Sequence, residues 1–327
     1  MISPSKARQQ DPYNTNKMSI VILIPDRDNS GLKAKLETLL PADTTVEIYP
    51  EVNNPEMVEM AIVWKHPHGA LGKFPNLKLI QSYGAGVEHL LRDQDLPSGI
   101  PITRIVDTNL TKGMERYVAM AVLAIHKRLD FYLQKQREKI WETPEPVELQ
   151  LRVGILGLGE LGAACAVYLR EMGFEVSGYS HSKKEIPGIT CRSAEELSVE
   201  AFAASVNVLV CLLPLTPQTE GILNYRLFQG MPRGAYLINA ARGGHLVEVD
   251  LLRAMEEGII AGAFLDVFHR EPLPPEHPFW THNNIFITPH TASVTNPDGA
   301  AALTAENYRR MKNDLPLLHV VKKEKGY

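Results

Sequence analysis

Three side chains in the second half of the sequence, Arg242, Glu271 and His290, are of the types needed to deliver a proton to a reacting carbonyl group. Each follows a short apolar run: AYLINAARGG carries Arg242, GAFLDVFHREP carries Glu271 and NIFITPHTAS carries His290. A hydride arriving at a carbonyl carbon leaves a developing alkoxide, which must be protonated. Histidine is the side chain that ionises nearest neutrality, so an imidazolium suits that task. A carboxylate at the far ring nitrogen, the place open to Glu271, would fix the ring and favour its charged form. The planar guanidinium of Arg242 would grip a carboxylate and a carbonyl oxygen together. The set describes reduction of a 2-oxo acid. Taken singly, each residue also has a plain reading: a His beside a proline caps or faces solvent, and an Arg forms half of a salt bridge. Three of them at strand C-termini favour a shared site, because open α/β sheets bind their ligands there.

A second constellation would hold the hydride donor. GILGLGELG, residues 154–162, places Gly157, Gly159 and Gly162 in the GxGxxG spacing. That spacing alone is a weak signal. Here it lies between a buried run, Arg152 to Leu156, and a helical pattern, LGAACAVYLREMG. Gly157 would make the tight turn, Gly159 would let the backbone reach a pyrophosphate, and Gly162 would let helix and strand pack closely. The loop also carries Leu158, Glu160 and Leu161, at a helix N-terminus whose dipole favours phosphate. At the end of the next strand, an NAD site keeps an acid for the ribose hydroxyls. This chain has GYSHSKK there, with Ser180, His181, Ser182, Lys183 and Lys184. Ser180 removes the repulsion of a 2′-phosphate, and His181, Lys183 and Lys184 supply donors and positive charge. The expected cofactor is therefore NADP(H), with NAD as the alternative.

Short Val-, Ile- and Leu-rich runs alternate with helical patterns along almost the whole chain. SIVILIP, TVEIY, MAIVW, LKLIQS and PITRIV form one series; RVGILG, FEVSGY, NVLVCLL, AYLINA, GAFLDVF and IFITP form another. Continuous apolar strands joined by helices signal parallel sheets covered on both faces, and two series imply two sheets. The fold class is α/β with two doubly wound domains. Between the series, TKGMERYVAMAVLAIHKRLDFYLQKQREK reads as one long helix, interrupted afterwards by the prolines of WETPEPVELQ. A last helix is expected from about Pro297 to Leu315. The resulting division is a polar leader over 1–17, a substrate domain over 18–111 and 295–327, and a dinucleotide domain over 112–294. QSYGAGVEHL, after LKLIQS, reads either as an anion-binding nest of backbone amides or as a plain turn into a helix at Val87.

At 327 residues the chain is long enough for two cores, and a net charge of −4 argues against nucleic acid as a partner. No apolar run approaches bilayer thickness. Cys165, Cys191 and Cys211 form no CxxC pair and read as thiols of a reducing compartment, giving a cytoplasmic expectation. The leader lacks the apolar stretch of a secretory signal and reads as a disordered segment, with an organellar transit peptide as the weaker alternative. HPH at 66–68, and His277 with His282, are the only metal candidates, and neither has a ligand set.

Beyond these chemical arguments, GILGLGELG, LLPLTPQTEGILN, GAYLINAARGGHLVE, GAFLDVFHREPLPPEHPFW and ITPHTAS closely resemble the D-isomer-specific 2-hydroxyacid dehydrogenases, in particular their glyoxylate/hydroxypyruvate reductase A branch. QSYGAGVEHL and MERYVAMAVL extend the likeness through nearly the whole chain after Met18. The resemblance implies a Rossmann domain inserted into a flavodoxin-like substrate domain, and reduction of glyoxylate or hydroxypyruvate. It implies catalytic roles for Arg242, Glu271 and His290, and substrate-carboxylate contacts at Ala85, Gly86 and Val87. Leu213, Pro214, Thr219, Ala240, Ala241, Asp266 and Ser293 match cofactor-lining positions. It also implies a homodimer built on the long helix near Lys112. Trp141 matches a residue that in some relatives reaches the neighbouring site, although core packing is the stronger expectation for it here. Trp64 and Tyr83 would narrow the substrate pocket or serve the core. One departure stands out: the branch tends to have an arginine where this chain has His181, which weakens the NADPH preference and leaves more to the lysines. Corepressors of the same fold supply the competing reading, a nucleotide-sensing binding protein.

Overall fold

The computed structural model describes residues 18–25 and 27–322; the leader and the final five residues of the tail lie outside the described residues. Two compact units are present. One runs to Ile105 and resumes at Pro297; the other spans Val106–Asn296.

The first unit carries β1 (Ser19–Leu23), α1 (Ser30–Leu39), β2 (Thr45–Ile48), β3 (Val58–Val63), β4 (Leu79–Ser82), α2 (Glu88–Leu91) and β5 (Ile102–Thr103). Its sheet is parallel in the order β2-β1-β3-β4-β5. β1 and β3 are buried at every position, which is why they are almost entirely apolar, Glu59 of β3 being the charged exception. The chain returns to this unit with a final helix from Pro297 to Lys312, and then a segment in which Val320 bridges Thr103 and Val321 N donates to Ile102 O at 2.8 Å.

The second unit opens with α3 (Thr108–His126), capped by the Asp107 carboxylate, and α4 (Leu129–Glu138). There follow β6 (Arg152–Leu156), α5 (Glu160–Glu171), β7 (Glu175–Ser180), β8 (Thr190–Ser193), α6 (Val199–Ala203), β9 (Val208–Cys211), α7 (Tyr225–Gln229), β10 (Ala235–Asn239), α8 (Glu248–Glu256), β11 (Ile260–Leu265) and β12 (Ile285–Ile287). The strands order as β12-β11-β10-β9-β6-β7-β8, all parallel. This is the doubly wound dinucleotide-binding topology with one added edge strand. Alternate strand residues feed two cores: Leu209, Leu237 and Leu265 join α6, α7 and α8 on one face. Val210, Ile238 and Phe264 join α3 and α5 on the other.

The single long helix expected from residue 111 onward is two helices. Arg128 adopts a left-handed backbone, φ 58°, which ends α3 and starts α4 in a new direction. The first of them starts at Thr108 rather than near Lys112, because Asp107 is the cap. α4 stops at Glu138, before the prolines. The final helix, α9 (Pro297–Lys312), ends short of Leu315. β8 has no counterpart in the sequence expectations. Cys165 and Cys211 are buried, and burial pushes the Cys211 thiol up to about 12; Cys191 is half-buried.

Candidate active site

The Gly-rich loop joins β6 to α5. Gly157 has φ +98°, and a Cβ there would sit 2.7 Å from the Leu212 carbonyl. A Cβ at Gly162 would lie 1.8 Å from Gly157 O, so helix and strand approach more closely than any other residue permits. Gly159 caps α5 and has open space on the side where a Cβ would be. Open space over a helix N-terminus, whose first amides lack intrahelical acceptors, fits a dinucleotide phosphate. Leu158 is buried against Gly178; Glu160 is exposed and Leu161 half-buried. Ser180 ends β7 and is buried, and its hydroxyl donates to Ser182 O at 2.7 Å. Its proton is thus engaged in the turn, and donors for a 2′-phosphate must come from the exposed His181, Ser182, Lys183 and Lys184.

The turn after β10 is built by side chains. Buried Asn239 accepts from Ala241 N at 3.2 Å and donates to Arg242 O at 3.1 Å. Ala240 and Ala241 are buried, and Arg242 Nη1 donates to Ala241 O at 2.6 Å. The loop after β9 is closed by Thr219, whose hydroxyl donates to Pro214 O at 2.6 Å and accepts from Thr216 N at 2.9 Å; Leu213 packs on the adjoining core. The Arg242 turn also abuts the exit of β11: a Cβ on Gly243 would fall 2.0 Å from the Phe268 carbonyl carbon.

That exit carries Glu271. Its Oε2 is 2.9 Å from His290 Nδ1, and its Oε1 accepts from Phe268 N at 3.2 Å. Both side chains are partly open to solvent, 30% for His290 and 22% for Glu271, so the pair is accessible to a ligand. His290 has a left-handed backbone, φ 55°, a costly conformation for a side chain of this size. Asp266 holds it there. The Asp266 carbonyl accepts from His290 N at 2.8 Å, while its buried carboxylate accepts from Thr291 N, Ala292 N and Thr288 Oγ1 at 2.8, 2.9 and 2.6 Å. Tyr117 of α3 completes the chain, its hydroxyl 2.9 Å from Thr288 Oγ1. Burial, opposed by the Thr288 bond and aided by the Asp266 charge, pushes the Tyr117 phenol up to about 12, so it stays a donor. Ser293 donates to Leu110 O at 2.6 Å and so ties this loop to α3.

In the other unit, Gly84 and Gly86 do not take the left-handed φ that an alternating nest requires. Gly84 is instead a clearance, since a Cβ would meet the Trp64 ring at 2.4 Å. Ser82 Oγ donates to Gly86 O at 2.8 Å, Val87 is buried at the start of α2, and Ala85 and Gly86 are half-buried. Tyr83 is buried with Arg27 5.5 Å from its ring centre; Trp64 is half-buried and packs on His89. His66 is buried against Asp93 at 3.0 Å rather than lying in an open loop, and His68 is exposed. His277 contacts Glu248, and His282 accepts from Asn284 N. Among the described residues, no group of three His, Cys, Asp or Glu side chains is placed to hold a metal ion. Trp141, for which core packing is the stronger expectation, is fully exposed, because the segment after α4 gives it nothing among the described residues to pack against.

Asn239, His245, Thr288 and Tyr117 were not apparent as site residues from sequence. Their roles are hydrogen bonds to other loops, and only a polar residue at the end of an apolar strand, as with Asn239, leaves a local trace.

The chain belongs to the D-isomer specific 2-hydroxyacid dehydrogenase family. A family model described as the NAD binding domain of these enzymes matches residues 119–292. The glyoxylate/hydroxypyruvate reductase A of Yersinia enterocolitica is 41% identical over 276 residues, 82% of this chain and 88% of that one. Its namesake from Serratia proteamaculans is 40% identical over 296 residues, 89% and 94% of the two chains. A D-isomer specific 2-hydroxyacid dehydrogenase from Xanthobacter autotrophicus Py2, solved with NADPH and MES, superposes with a TM-score of 0.89 at 38% identity, covering 95% of this chain and 100% of that one. The NADPH-dependent glyoxylate/hydroxypyruvate reductase of Sinorhizobium meliloti, solved with NADP and sulfate, gives 0.87 at 34% identity with the same coverage. Among the described residues, no helix is long and apolar enough to cross a membrane.

Proposed function

We propose that this protein reduces small 2-oxo acids, glyoxylate and hydroxypyruvate among them, to 2-hydroxy acids with NADPH. The observation that carries the reading is the 2.9 Å His290–Glu271 pair, a proton donor held by a carboxylate beside the Arg242 turn. The 106–296 unit would bind the dinucleotide, and the family resemblance assigns substrate-carboxylate contacts to Ala85, Gly86 and Val87. The α5 N-terminus at Gly159, Glu160 and Leu161 would hold the pyrophosphate, and residues 181–184 the 2′-phosphate. Leu213, Pro214, Thr219, Ala240, Ala241 and Asp266 would line the rest. When bound, the dinucleotide supplies the hydride.

The chain supplies charge and the proton. Arg242 neutralises the substrate carboxylate and draws electron density toward the carbonyl oxygen. His290 enters as the imidazolium, its Nδ1–H on Glu271 and its Nε2–H on the substrate oxygen, and leaves neutral once that oxygen is protonated. Glu271 never changes charge; it keeps the ring from turning. A sensor that only bound nucleotide would need no such pair, which disfavours a corepressor-like role.

Exposed Met120, Leu123, Leu129, Tyr132, Ile140 and Trp141 along α3, α4 and the following segment support a homodimer through this unit. Three free thiols support a cytoplasmic setting. The test is a panel of 2-oxo acids followed by NADPH and NADH absorbance. Turnover of glyoxylate with NADPH is expected; cofactor binding without turnover of any 2-oxo acid would overturn the reading.

A further inference from the structure

His245 belongs to neither the catalytic pair nor the phosphate loop, yet its side chain is completely buried between two loops of the site. The Arg242 amide donates to its Nδ1 at 3.2 Å, and its Nε2 lies 3.2 Å from the Pro214 carbonyl. Nδ1 also lies 3.1 Å from the Arg242 carbonyl, but that oxygen already accepts from Asn239 Nδ2 and His245 N; the Arg242 N–H aimed at Nδ1 therefore makes that nitrogen the acceptor and leaves the ring proton on Nε2, facing the Pro214 carbonyl. Pro214 O also receives the Thr219 hydroxyl at 2.6 Å, so both of its lone pairs are engaged. Thr219 closes the 214–219 turn from within, and His245 ties it to the Arg242 turn.

We propose that His245 is a positioning residue that sets two contacts with one rigid ring, Arg242 for the substrate through Nδ1 and the Pro214 turn for the cofactor through Nε2. The inference rests on the roles given above to Arg242 and Pro214. No other neutral side chain offers an acceptor and a donor on opposite sides of a planar ring. The fold around it is held by the main chain: Leu223 N donates to His245 O at 2.9 Å and Gly221 N to Gly244 O at 2.9 Å. Side-chain replacement therefore leaves the backbone pairing of these segments in place.

Two variants separate the halves of the ring. His245→Asn keeps a polar atom near Nδ1 but is too short for Pro214. His245→Gln reaches the Nε2 position with a donor but no longer serves the Arg242 amide. NADPH affinity is read by fluorescence titration without substrate, and the KM for glyoxylate by steady-state rates. For His245→Asn the NADPH Kd is expected to rise about tenfold, with the glyoxylate KM within about twofold of the parent. For His245→Gln the pattern reverses. Equal effects of both variants on both constants, or none, would overturn the proposal. If the parent protein fails to reduce glyoxylate, the functional reading falls, and the NADPH titrations of the two variants still decide whether the ring ties the Pro214 turn.

Discussion

Glu271 and His290 meet at 2.9 Å through Oε2 and Nδ1, while the second carboxylate oxygen is fixed by Phe268 N. A carboxylate anchored at one end and bonded to the ring at the other holds the imidazole in one orientation with Nε2 outward. His290→Ala removes the proposed proton donor and is expected to lower kcat by about 10²–10⁴-fold. NADPH binding, followed by fluorescence, should be unchanged. Retention of most of the turnover would take His290 out of the mechanism.

Glu271→Gln tests the anchor separately. The amide preserves size but loses the charge that opposes the imidazolium, and kcat is expected to fall by about 10²-fold with little change in the KM for glyoxylate. A KM effect without a kcat effect would mean that Glu271 acts on binding rather than on the proton donor.

Gly243 governs how closely the Arg242 turn approaches the loop bearing Glu271. A methyl group there would lie 2.0 Å from the Phe268 carbonyl carbon, so Gly243→Ala must push the two loops apart. Displacements of about 1 Å cost about 10²-fold in rate, and a loss of that size in kcat/KM is expected. NADPH affinity measured alongside should change far less.

Lys183 and Lys184 carry the 2′-phosphate reading. The double replacement by Ala is expected to raise the NADPH Kd about tenfold and leave NADH untouched. The difference between the two cofactors should shrink in high salt, because both lysines are exposed. Equal losses for NADH and NADPH would assign these lysines to general electrostatics.

Glu59 offers a pH-dependent test of stability. It is buried on β3, and that burial opposes ionisation. Hydrogen bonds from Lys78 at 2.5 Å and Lys312 at 2.9 Å, with their charges, outweigh it and hold the carboxyl below its ordinary value. A folded-state value below the unfolded one stabilises the protein fully above the ordinary carboxylate range, and the contribution disappears as pH falls through the lower, folded value. Glu59→Gln is expected to cost about 1–3 kcal/mol in denaturant melts at pH 7. That deficit should narrow in acid, and a deficit independent of pH would mean that packing, not charge, is lost.

Much of this architecture was legible in the sequence because it rests on local signals. β1, β3, β9 and β10 are buried along their whole length and announce themselves as apolar runs. The spacing of Gly157, Gly159 and Gly162 reports its own turn. β8 escaped notice because TCRS is a short, largely solvent-facing edge strand with no apolar pattern to read. The break at Arg128 was hidden because no Gly or Pro marks it. Trp141 misled because an indole is ordinarily buried, and what surrounds it is set by distant segments. In the site, Arg242, Glu271 and His290 stood out by type and position. The residues that aim them, Asn239, His245, Asp266, Thr288 and Tyr117, act across loops far apart in the chain, and the sequence pointed only to Asp266 among these, as a cofactor neighbour.

The first sheet takes one of its helices from the far end of the polypeptide. Asn307 of α9 donates to Gln81 Oε1 at 3.2 Å, Ala300, Ala301 and Tyr308 are buried, and Lys35 of α1 pairs with Asp298. A ribosome therefore releases β1 to β5 long before that covering helix exists. The intervening nucleotide-binding unit has all its strands available first, and the opening strands must wait with apolar surface uncovered. For this chain, order of synthesis and order of completion are reversed, which places the period of greatest vulnerability to aggregation in translation itself.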